Sequence, residues 1–306
     1  CPQPDFYVLE LSSFQLERSG DLRLDVATVL NVSADHMDRY DDLSAYTKAK
    51  HRVFHGCKKI VYNRADLLSI SEDTAAVDKS SFGLSSPGIG EFGLLKGTDG
   101  ADGSEDEFLA FHSKKLMPVS ALKMVGRHNL ENALAAMSLA HTLGVEFGPM
   151  IKVLENFPGL DHRCKFVAEV AGVHYYNDSK GTNVGAAVAS IQGLSGTTGK
   201  IVLIAGGESK GADFSPLLPV IKLCVRAVVV IGEAAKLIEE LCSKFVLVES
   251  ALSMEQAVLH ASRLASAGDA VLLSPACASF DMFNDYQHRG EVFCDSVARL
   301  LNGDDC

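Results

Sequence analysis

The sequence has no apolar run long enough to cross a bilayer, no closely spaced pair of cysteines and no excess of positive charge. Its longest apolar stretches, VRAVVVIG and KIVLIAGG, fall far short of the roughly 20 residues that a membrane-spanning helix needs. They are typical of buried parallel strands. Lysine and arginine number 28 against 39 acidic residues, and the net charge is −11. This balance argues against nucleic acid as the main partner, because phosphate backbones are bound by basic surfaces.

The eight cysteines are scattered at positions 1, 57, 164, 224, 242, 277, 294 and 306, with no CxxC pair. Such spacing is typical of free thiols in a reducing compartment, and it argues against a disulfide framework or a zinc site. We therefore expect a cytoplasmic protein.

A chain of 306 residues predicts about two domains. Strands alternate with helices, which indicates α/β domains with mostly parallel, doubly wound sheets. The pattern restarts after PGLDHR, so we expect one domain over residues 1–159 and a second over 160–306. The predicted strands include DFYVLEL, VATVLNVS and KKIVYN in the first part, and KIVLIAGG, VRAVVVIG, FVLVES and AVLLSPA in the second. Ligands of such sheets bind at the carboxyl ends of the strands.

Two predicted strands of the first part are followed by side chains that could bind a metal, one by a glutamate and the other by a histidine with two aspartates. Glu10 comes directly after FYVL, where its carboxylate would face a ligand or hold Mg²⁺, or would simply be a solvated acid. His36 follows VATVLNV, with Asp35 and Asp38 beside it. This second set would hold a metal or orient a phosphate, or it is a loop in which Ser33 or Asp35 caps a short helix.

The stretch GRHNLENALAA places two asparagines three residues apart at the start of a predicted helix. Asn129 and Asn132 therefore share one face of that helix. Paired amides can recognise the donor and acceptor edge of a base such as adenine. The alternative is that Asn129 is only the N-cap of the helix.

Three strand ends of the second part carry groups that suit an anionic ligand. Lys180 and Thr182 lie in NDSKGTN at a strand-to-helix junction, Lys210 lies in GGESKGADF, and Ser279 lies in SPACASFDMF. The backbone N–H groups at the start of a helix favour an anion, and lysine adds a point charge. Such a site would suit a small molecule that carries carboxylates.

Taken together and in this order, the motifs resemble those of the Mur ligase family, and most closely its D-glutamate-adding members. The matching stretches are LELSSFQLE, NVSADHMDRY, YTKAK, GRHNLENALAA, GLDHR, NDSKGTNVGA, GGESKGADF and LSPACASFDMF…RG. The resemblance implies three domains: a UDP-binding domain, a central ATPase domain and a C-terminal Rossmann-like domain. We expect this chain to be N-terminally truncated, since it lacks the first domain and a GTNGK[ST]-type phosphate loop, and to be inactive alone.

The resemblance also implies an ATP-dependent ligase that adds D-glutamate to UDP-N-acetylmuramoyl-L-alanine through an acyl phosphate. By motif match, Asn129 and Asn132 would approach the adenine, Arg163 the phosphates and Asp178 the ribose. Lys180 would serve the phosphate and the incoming amine. The expected partners are these small molecules, with no nucleic acid and no membrane, and we expect a monomer.

Two further groups of residues follow from the same match. Glu10 and His36 would be Mg²⁺ ligands, and Lys50 matches the lysine that family members carbamylate to support a second Mg²⁺. The resemblance therefore implies ATP and Mg²⁺ as cofactors. It also implies that Lys50, His36 and Lys180 are the catalytic residues. The residues expected to hold the carboxylates of D-glutamate are Thr182, Lys210, Ser279, Phe280 and the backbone near Tyr286.

Two rival interpretations remain open at this point. The chain could be part of another ATP-dependent acid–amino-acid ligase such as folylpolyglutamate synthase, which shares the mechanism but should lack SPACASFDMF. It could instead be a fragment that binds nucleotide or D-glutamate without turnover, because the phosphate loop is absent from these 306 residues.

Overall fold

The computed structural model describes residues 4–37, 39–71, 74, 77–98, 105–124, 126–196 and 198–303. The chain forms two compact units. Unit 1 contains the described residues of 1–33, 39–118 and 132–151, and unit 2 contains those of 34–38, 119–131 and 152–306.

Unit 1 contains a small parallel sheet and a small antiparallel sheet. The parallel strands, in the order β1-β2-β3, are β1 (Val26–Val29), β2 (Lys59–Asn63) and β3 (Asp78–Phe82). The antiparallel strands are β4 (Phe92–Thr98), β5 (Glu105–Phe111) and β6 (Lys114–Pro118). Parts of β3, β4 and β5 lie within the Gly- and Ser-rich stretch of residues 81–107.

Helices α1 (Ser13–Arg18) and α2 (Leu43–His51) also lie in unit 1. A capping box between Ser12 and Gln15 begins α1, so the SSFQLE stretch is a helix start. Asp42 caps α2 by accepting from the backbone N–H of Ala45 at 2.8 Å. Two longer helices follow along the chain, α3 (Arg127–Thr142) and α4 (Phe147–Asn156).

The predicted strand DFYVLEL is wrong, because residues 6–10 have no strand hydrogen bonding and are exposed. Tyr7 is 74% exposed and Val8 is 95% exposed. A strand exists only when its backbone groups pair with a neighbour. No strand of the described residues pairs with this segment, since β1 has β2 as its one partner there.

Unit 2 is built on a six-stranded sheet in the order β11-β10-β9-β12-β8-β7. The strands are β7 (Lys165–Val170), β8 (Val173–Asn177), β9 (Ile201–Gly206), β10 (Val225–Ile231), β11 (Leu247–Ser250) and β12 (Ala270–Leu273). All neighbours are parallel except β7 and β8, which form an antiparallel hairpin. The four β-strands predicted from apolar runs in this part are therefore confirmed.

Five helices cover both faces of this sheet, which confirms the doubly wound prediction. They are α5 (Val184–Leu194), α6 (Leu217–Cys224), α7 (Ala235–Cys242), α8 (Met254–Leu264) and α9 (Tyr286–Asn302). Residues of α5, α6 and α7 pack in one apolar cluster, while residues of α8 and α9 pack in another. The central strands contribute alternate residues to the two clusters, as Val228 and Val229 of β10 do.

Six cysteines fall within the described residues, and none of them is in a disulfide. Burial raises the pKa of the Cys57 and Cys164 thiols. It also raises the pKa of the Cys242 thiol to about 11 and that of the Cys277 thiol to about 12. These thiols are therefore protonated at neutral pH. Cys1 and Cys306 lie outside the described residues.

None of the helices in the described ranges is long and apolar enough to span a membrane.

Candidate active site

Three adjacent strands of unit 2 end at one edge of the sheet, and each is followed by a polar loop. The β8 loop (residues 178–183), the β9 loop (207–213) and the β12 loop (274–281) follow β8, β9 and β12, which are neighbours in the sheet. Because these strands are parallel, their carboxyl ends lie at the same edge. The prediction that Lys180, Thr182, Lys210 and Ser279 follow three neighbouring strands is confirmed.

Backbone hydrogen bonds join the three loops to one another. The N–H of Ala276 donates to the carbonyl of Gly181 at 2.9 Å, which links the β12 loop to the β8 loop. Glu208 and Ala278 exchange two hydrogen bonds of 3.1 Å, which link the β9 loop to the β12 loop. Gly207 has φ 128°, and a Cβ there would overlap the carbonyl oxygen of Ala278. Only glycine allows this approach.

Asp178 is buried at the junction of β8, α5 and β12. Its carboxylate accepts from the N–H of Cys164 at 3.0 Å and from the hydroxyls of Ser190 and Ser274 at 2.6 and 2.7 Å. Burial raises the pKa of Asp178 to about 6, although these hydrogen bonds and the charge of Arg163 oppose the shift. The carboxylate therefore holds three elements together, and its predicted contact with a ribose stays a prediction.

Helix α5 begins at the β8 loop with Asn183 as its N-cap. The side-chain oxygen of Asn183 accepts from the N–H of Ala186 at 2.9 Å, and its nitrogen donates to Asp35 at 3.0 Å. The other oxygen of Asp35 accepts from the N–H of His36 at 2.8 Å. Thr182 thus precedes a capped helix N-terminus, where anions are favoured.

The His36 loop differs from the capping alternative considered above. Within the described part of residues 33–42 there is no helix that Ser33 or Asp35 could cap, since α2 is capped by Asp42. His36 has φ 56°, the left-handed region that histidine adopts more readily than most residues. Asp38 lies outside the described residues.

Lys180 and Tyr286 form the clearest side-chain pair at the β8 loop. The Lys180 ammonium lies 4.0 Å from the centre of the Tyr286 ring, within cation–π range. The ring of His162 packs edge-on against Tyr286 at 6.0 Å, and its carbonyl accepts from the N–H of Lys180 at 3.0 Å. The carbonyl of Tyr286 accepts from the hydroxyl of Ser179 at 2.8 Å. His162 therefore supports Lys180, and Arg163 beside it is exposed.

The remaining predicted amino-acid residues lie on the β9 and β12 loops. Lys210 is exposed with φ 48°, and its ammonium is 6.0 Å from the ring centre of Phe280. Phe280 is 66% exposed, whereas Ser279 is buried. The carbonyl of Ser279 accepts from the N–H of Phe283 at 2.8 Å, which fixes the loop conformation at this serine.

The two asparagines proposed for the adenine lie in the first turns of α3. Asn129 is buried and Asn132 is exposed. The N-cap alternative for Asn129 is wrong, because α3 begins two residues earlier at Arg127. Their spacing places both on one face of the helix. A contact with adenine stays a prediction.

The predicted Mg²⁺ ligands do not form a complete cation site within either unit. Glu10 is exposed and Lys50 lies 4.8 Å above the ring of Tyr46, both in unit 1, whereas the His36 loop belongs to unit 2. In the part of the chain that the structure describes, no three His, Cys, Asp or Glu side chains are grouped as a metal site requires. The ligand roles of Glu10, His36 and Lys50 remain predictions.

Arg289 is the principal site residue that sequence reasoning missed. It is completely buried on α9, beneath the β8 and β12 loops. A signal for its burial was present, because Arg289, Phe293 and Val297 recur at intervals of four and all three are buried. Ser190 and Ser274 were also missed, since nothing local in the sequence indicates that they donate to Asp178.

His128 was missed as well. Its buried ring lies between Gly126 and Gly193, where a Cβ on Gly193 would come 2.7 Å from its Nδ1 atom. Burial lowers the pKa of His128, so the ring is neutral at pH 7. It therefore anchors the start of α3, next to Asn129, against the end of α5.

Two family descriptions match the sequence. The Mur ligase middle domain matches residues 2–140. The glutamate ligase domain of Mur ligases matches residues 162–277.

The chain is also similar to curated proteins named UDP-N-acetylmuramoylalanine–D-glutamate ligase. It is 50% identical over 298 residues to those of Pseudomonas savastanoi pv. phaseolicola and Pseudomonas aeruginosa, covering 97% of this chain and 65% of each relative. It is 46% identical over 299 residues to that of Legionella pneumophila strain Paris, covering 97% of this chain and 66% of the relative. The chain thus spans just under two thirds of the length of these relatives.

Solved structures share the fold at low sequence identity. UDP-N-acetylmuramate–alanine ligase of Thermotoga maritima has a TM-score of 0.63 at 20% identity, covering 94% of this chain and 62% of the other. The MurF ligase of Thermotoga maritima in complex with ADP has a TM-score of 0.64 at 18% identity, covering 92% and 63%. Escherichia coli FolC with ADP has a TM-score of 0.62 at 18% identity, covering 91% and 63%.

Proposed function

The chain belongs to the Mur ligase family, and from this premise we propose that it is the ATP- and amino-acid-binding part of a ligase that adds D-glutamate to UDP-N-acetylmuramoyl-L-alanine. The observation that carries the proposal is the edge of the unit 2 sheet. Three adjacent strands end there in loops that bring two lysines, a threonine and a serine to one end of one domain. Such groups suit a small dicarboxylate.

The proposed reaction has two steps. The carboxylate of the alanine end attacks the γ-phosphate of ATP, which gives an acyl phosphate and ADP. The amine of D-glutamate then attacks the acyl carbon, loses a proton and displaces phosphate. Since no protein group forms a covalent bond with the substrates, the protein contributes orientation and charge neutralisation.

We assign the nucleotide side of the reaction to five residues. Asn129 and Asn132 bind the adenine, Arg163 the phosphates and Asp178 the ribose. Lys180 leaves the Tyr286 ring to neutralise the phosphate and orient the incoming amine. This role suits a lysine held by a cation–π contact, because that contact is weak enough to be replaced by an ion pair with a phosphate.

We assign the D-glutamate carboxylates to Thr182, Lys210, Ser279, Phe280 and the backbone near Tyr286. The support is that Thr182, Lys210, Ser279 and Phe280 lie on the joined loops of unit 2, and that Thr182 directly precedes the capped N-terminus of α5. Mg²⁺, held by Glu10, His36 and a carbamylated Lys50, would neutralise phosphate charge when bound. We further propose the domains 1–159 and 160–306, a monomer, and a cytoplasmic location.

The second candidate is another acid–amino-acid ligase, because FolC shares the fold. Identity of 50% to D-glutamate ligases, against 18% to FolC, favours D-glutamate.

The test is ADP release by the complete gene product that contains this chain. We expect release to require both UDP-N-acetylmuramoyl-L-alanine and D-glutamate, with little activity on L-glutamate. Equal activity with the two enantiomers, or turnover of a folate in place of the nucleotide-linked substrate, would contradict the assignment.

A further inference from the structure

Arg289 is a buried cation whose hydrogen bonds go to uncharged oxygen atoms. It is 0% exposed and is the largest fully buried side chain in the described ranges. Its Nε donates to the hydroxyl of Ser179 at 3.0 Å and its Nη2 to the Ser179 carbonyl at 2.8 Å. Its Nη1 donates to the carbonyls of Cys277 and Ala278, both at 3.1 Å.

Burial of this charge is unfavourable by itself. Burial lowers the pKa of Arg289 to about 10, so the guanidinium is still charged at neutral pH. An apolar side chain of similar volume could fill the space, but it would take a donor away from oxygen atoms of Ser179, Cys277 and Ala278. The charge and its planar set of donors therefore call for an explanation beyond packing.

The guanidinium lies where the three polar loops meet. Ser179 belongs to the β8 loop, whereas Cys277 and Ala278 belong to the β12 loop, so the four hydrogen bonds join these two loops directly. The carbonyl of Ala278 also accepts from Glu208 of the β9 loop. A Cβ on Gly207 would come 3.3 Å from Nη1, so the β9 loop packs against the guanidinium as well.

We propose that Arg289 is a positioning residue for the amino-acid subsite, where it holds the β8, β9 and β12 loops in the arrangement that binds an anionic amino acid. This inference rests on the proposed function, because the ligand is the D-glutamate assigned above. The three carbonyl oxygens bound by Arg289 are partial negative charges that would repel a carboxylate. Bound to a buried guanidinium, they point into the domain interior.

Lysine cannot replace arginine in this role. The guanidinium offers five N–H donors in a rigid plane, whereas an ammonium offers three donors around one point. Arg289→Lys keeps the charge but cannot reach the Ser179 hydroxyl, its carbonyl and both β12-loop carbonyls together. The loops would then lose their common support while the electrostatic field stays nearly the same.

The experiment compares steady-state constants of the complete gene product with those of its Arg289→Lys variant. We expect KM for D-glutamate to rise about tenfold or more, as loss of charge-assisted hydrogen bonds implies, with KM for ATP within about twofold. The preference for D- over L-glutamate should fall too, because enantiomer discrimination depends on where the loops place their groups. A merely structural role would lower the thermal midpoint without changing this preference.

Arg226→Lys is the matched control. Arg226 also lies in unit 2 and donates from Nε to Asp269 at 2.5 Å, but it lies at the other end of the sheet, at the start of β10. We expect this variant to lose stability and to keep both Michaelis constants and the preference for D-glutamate.

Ser179→Ala is the second variant, and it removes the acceptor of Nε with little change in volume. It decides the question if Arg289→Lys does not fold, and a smaller rise in KM for D-glutamate is expected. Unchanged KM and D preference in the folded variants would overturn the inference and leave the proposed function intact. If the wild-type gene product shows no D-glutamate-dependent turnover, the proposed function fails, and the inference fails with it.

Discussion

The side-chain nitrogen of Asn183 donates a hydrogen bond to a carboxylate oxygen of Asp35 at 3.0 Å. Asn183 also caps α5, and Asp35 accepts from the N–H of His36. One amide thus connects the start of α5 to the His36 loop. A displacement of this loop would therefore break or move the hydrogen bond of Asn183, the residue that follows Thr182.

A charge substitution tests this connection. Asn183→Asp keeps a good N-cap but turns a second carboxylate toward Asp35, so we expect the free energy of unfolding to fall by about 1.5 kcal/mol or more. Asp35→Asn in the same chain supplies a donor again and should recover most of the loss. Urea unfolding measures both changes, and a double variant no more stable than Asn183→Asp would contradict the coupling.

Lys210→Ala and Ser279→Ala should impair D-glutamate use far more than ATP use. Both residues lie on the loops of the unit 2 sheet, and loss of a charge-assisted hydrogen bond costs roughly 1.5–3 kcal/mol. In the complete gene product, KM for D-glutamate should therefore rise while KM for ATP changes little. Lys236→Ala is the control, since the Lys236 side chain on α7 is 85% exposed. An equal rise in both constants would count against the assignment.

Lys50 is expected to act as a carbamate anion in the complete gene product. Lys50→Ala should nearly abolish turnover, and short carboxylic acids should restore part of it by supplying the oxygen atoms that Mg²⁺ prefers. Lys50→Arg should resist rescue, because the guanidinium stays charged and fills the gap. Lys48→Ala, an exposed lysine on the same helix, is the control.

A second readout for Lys50 does not depend on turnover. Protein equilibrated with ¹³C-labelled bicarbonate should show a carbamate resonance that Lys50→Ala removes and Lys48→Ala keeps. Wild-type turnover by Lys50→Ala in carbonate-free buffer would show that this lysine is structural.

Asp178 should make the stability of the chain depend on pH. The native carboxyl has its pKa raised from 3.8 to about 6, so between these values the native state binds more protons than the unfolded state. Stability conferred by this group therefore falls as pH rises from 4 to 6, by about 2 kcal/mol. Asp178→Asn abolishes this contribution. The measurement is the difference in unfolding free energy between wild type and variant at each pH. A difference that stays constant from pH 4 to pH 6 would contradict the raised pKa of Asp178.

The sequence predicted the sheet of unit 2 well, because its buried strands are continuous apolar runs separated by amphipathic helices. It also predicted which loops carry the polar groups. It did not predict that Ser274 donates to Asp178 or that Arg289 donates to Ser179, because these contacts join segments about 100 residues apart. The segment at Tyr7 and Val8 was wrongly predicted as a strand, since an apolar run does not supply the neighbouring strand that it must pair with.

The buried thiols can be used to follow the unfolding of the chain by their reaction with alkylating reagents. A protonated, enclosed thiol reacts slowly with alkylating reagents, so modification of these cysteines requires opening of the surrounding structure. Cys57 lies in unit 1, whereas Cys164, Cys242 and Cys277 lie in unit 2. Pulsed alkylation followed by peptide mass analysis would therefore time the opening of each unit separately. Equal labelling rates would identify one cooperative transition, and earlier labelling of Cys57 would identify the less stable half of the molecule.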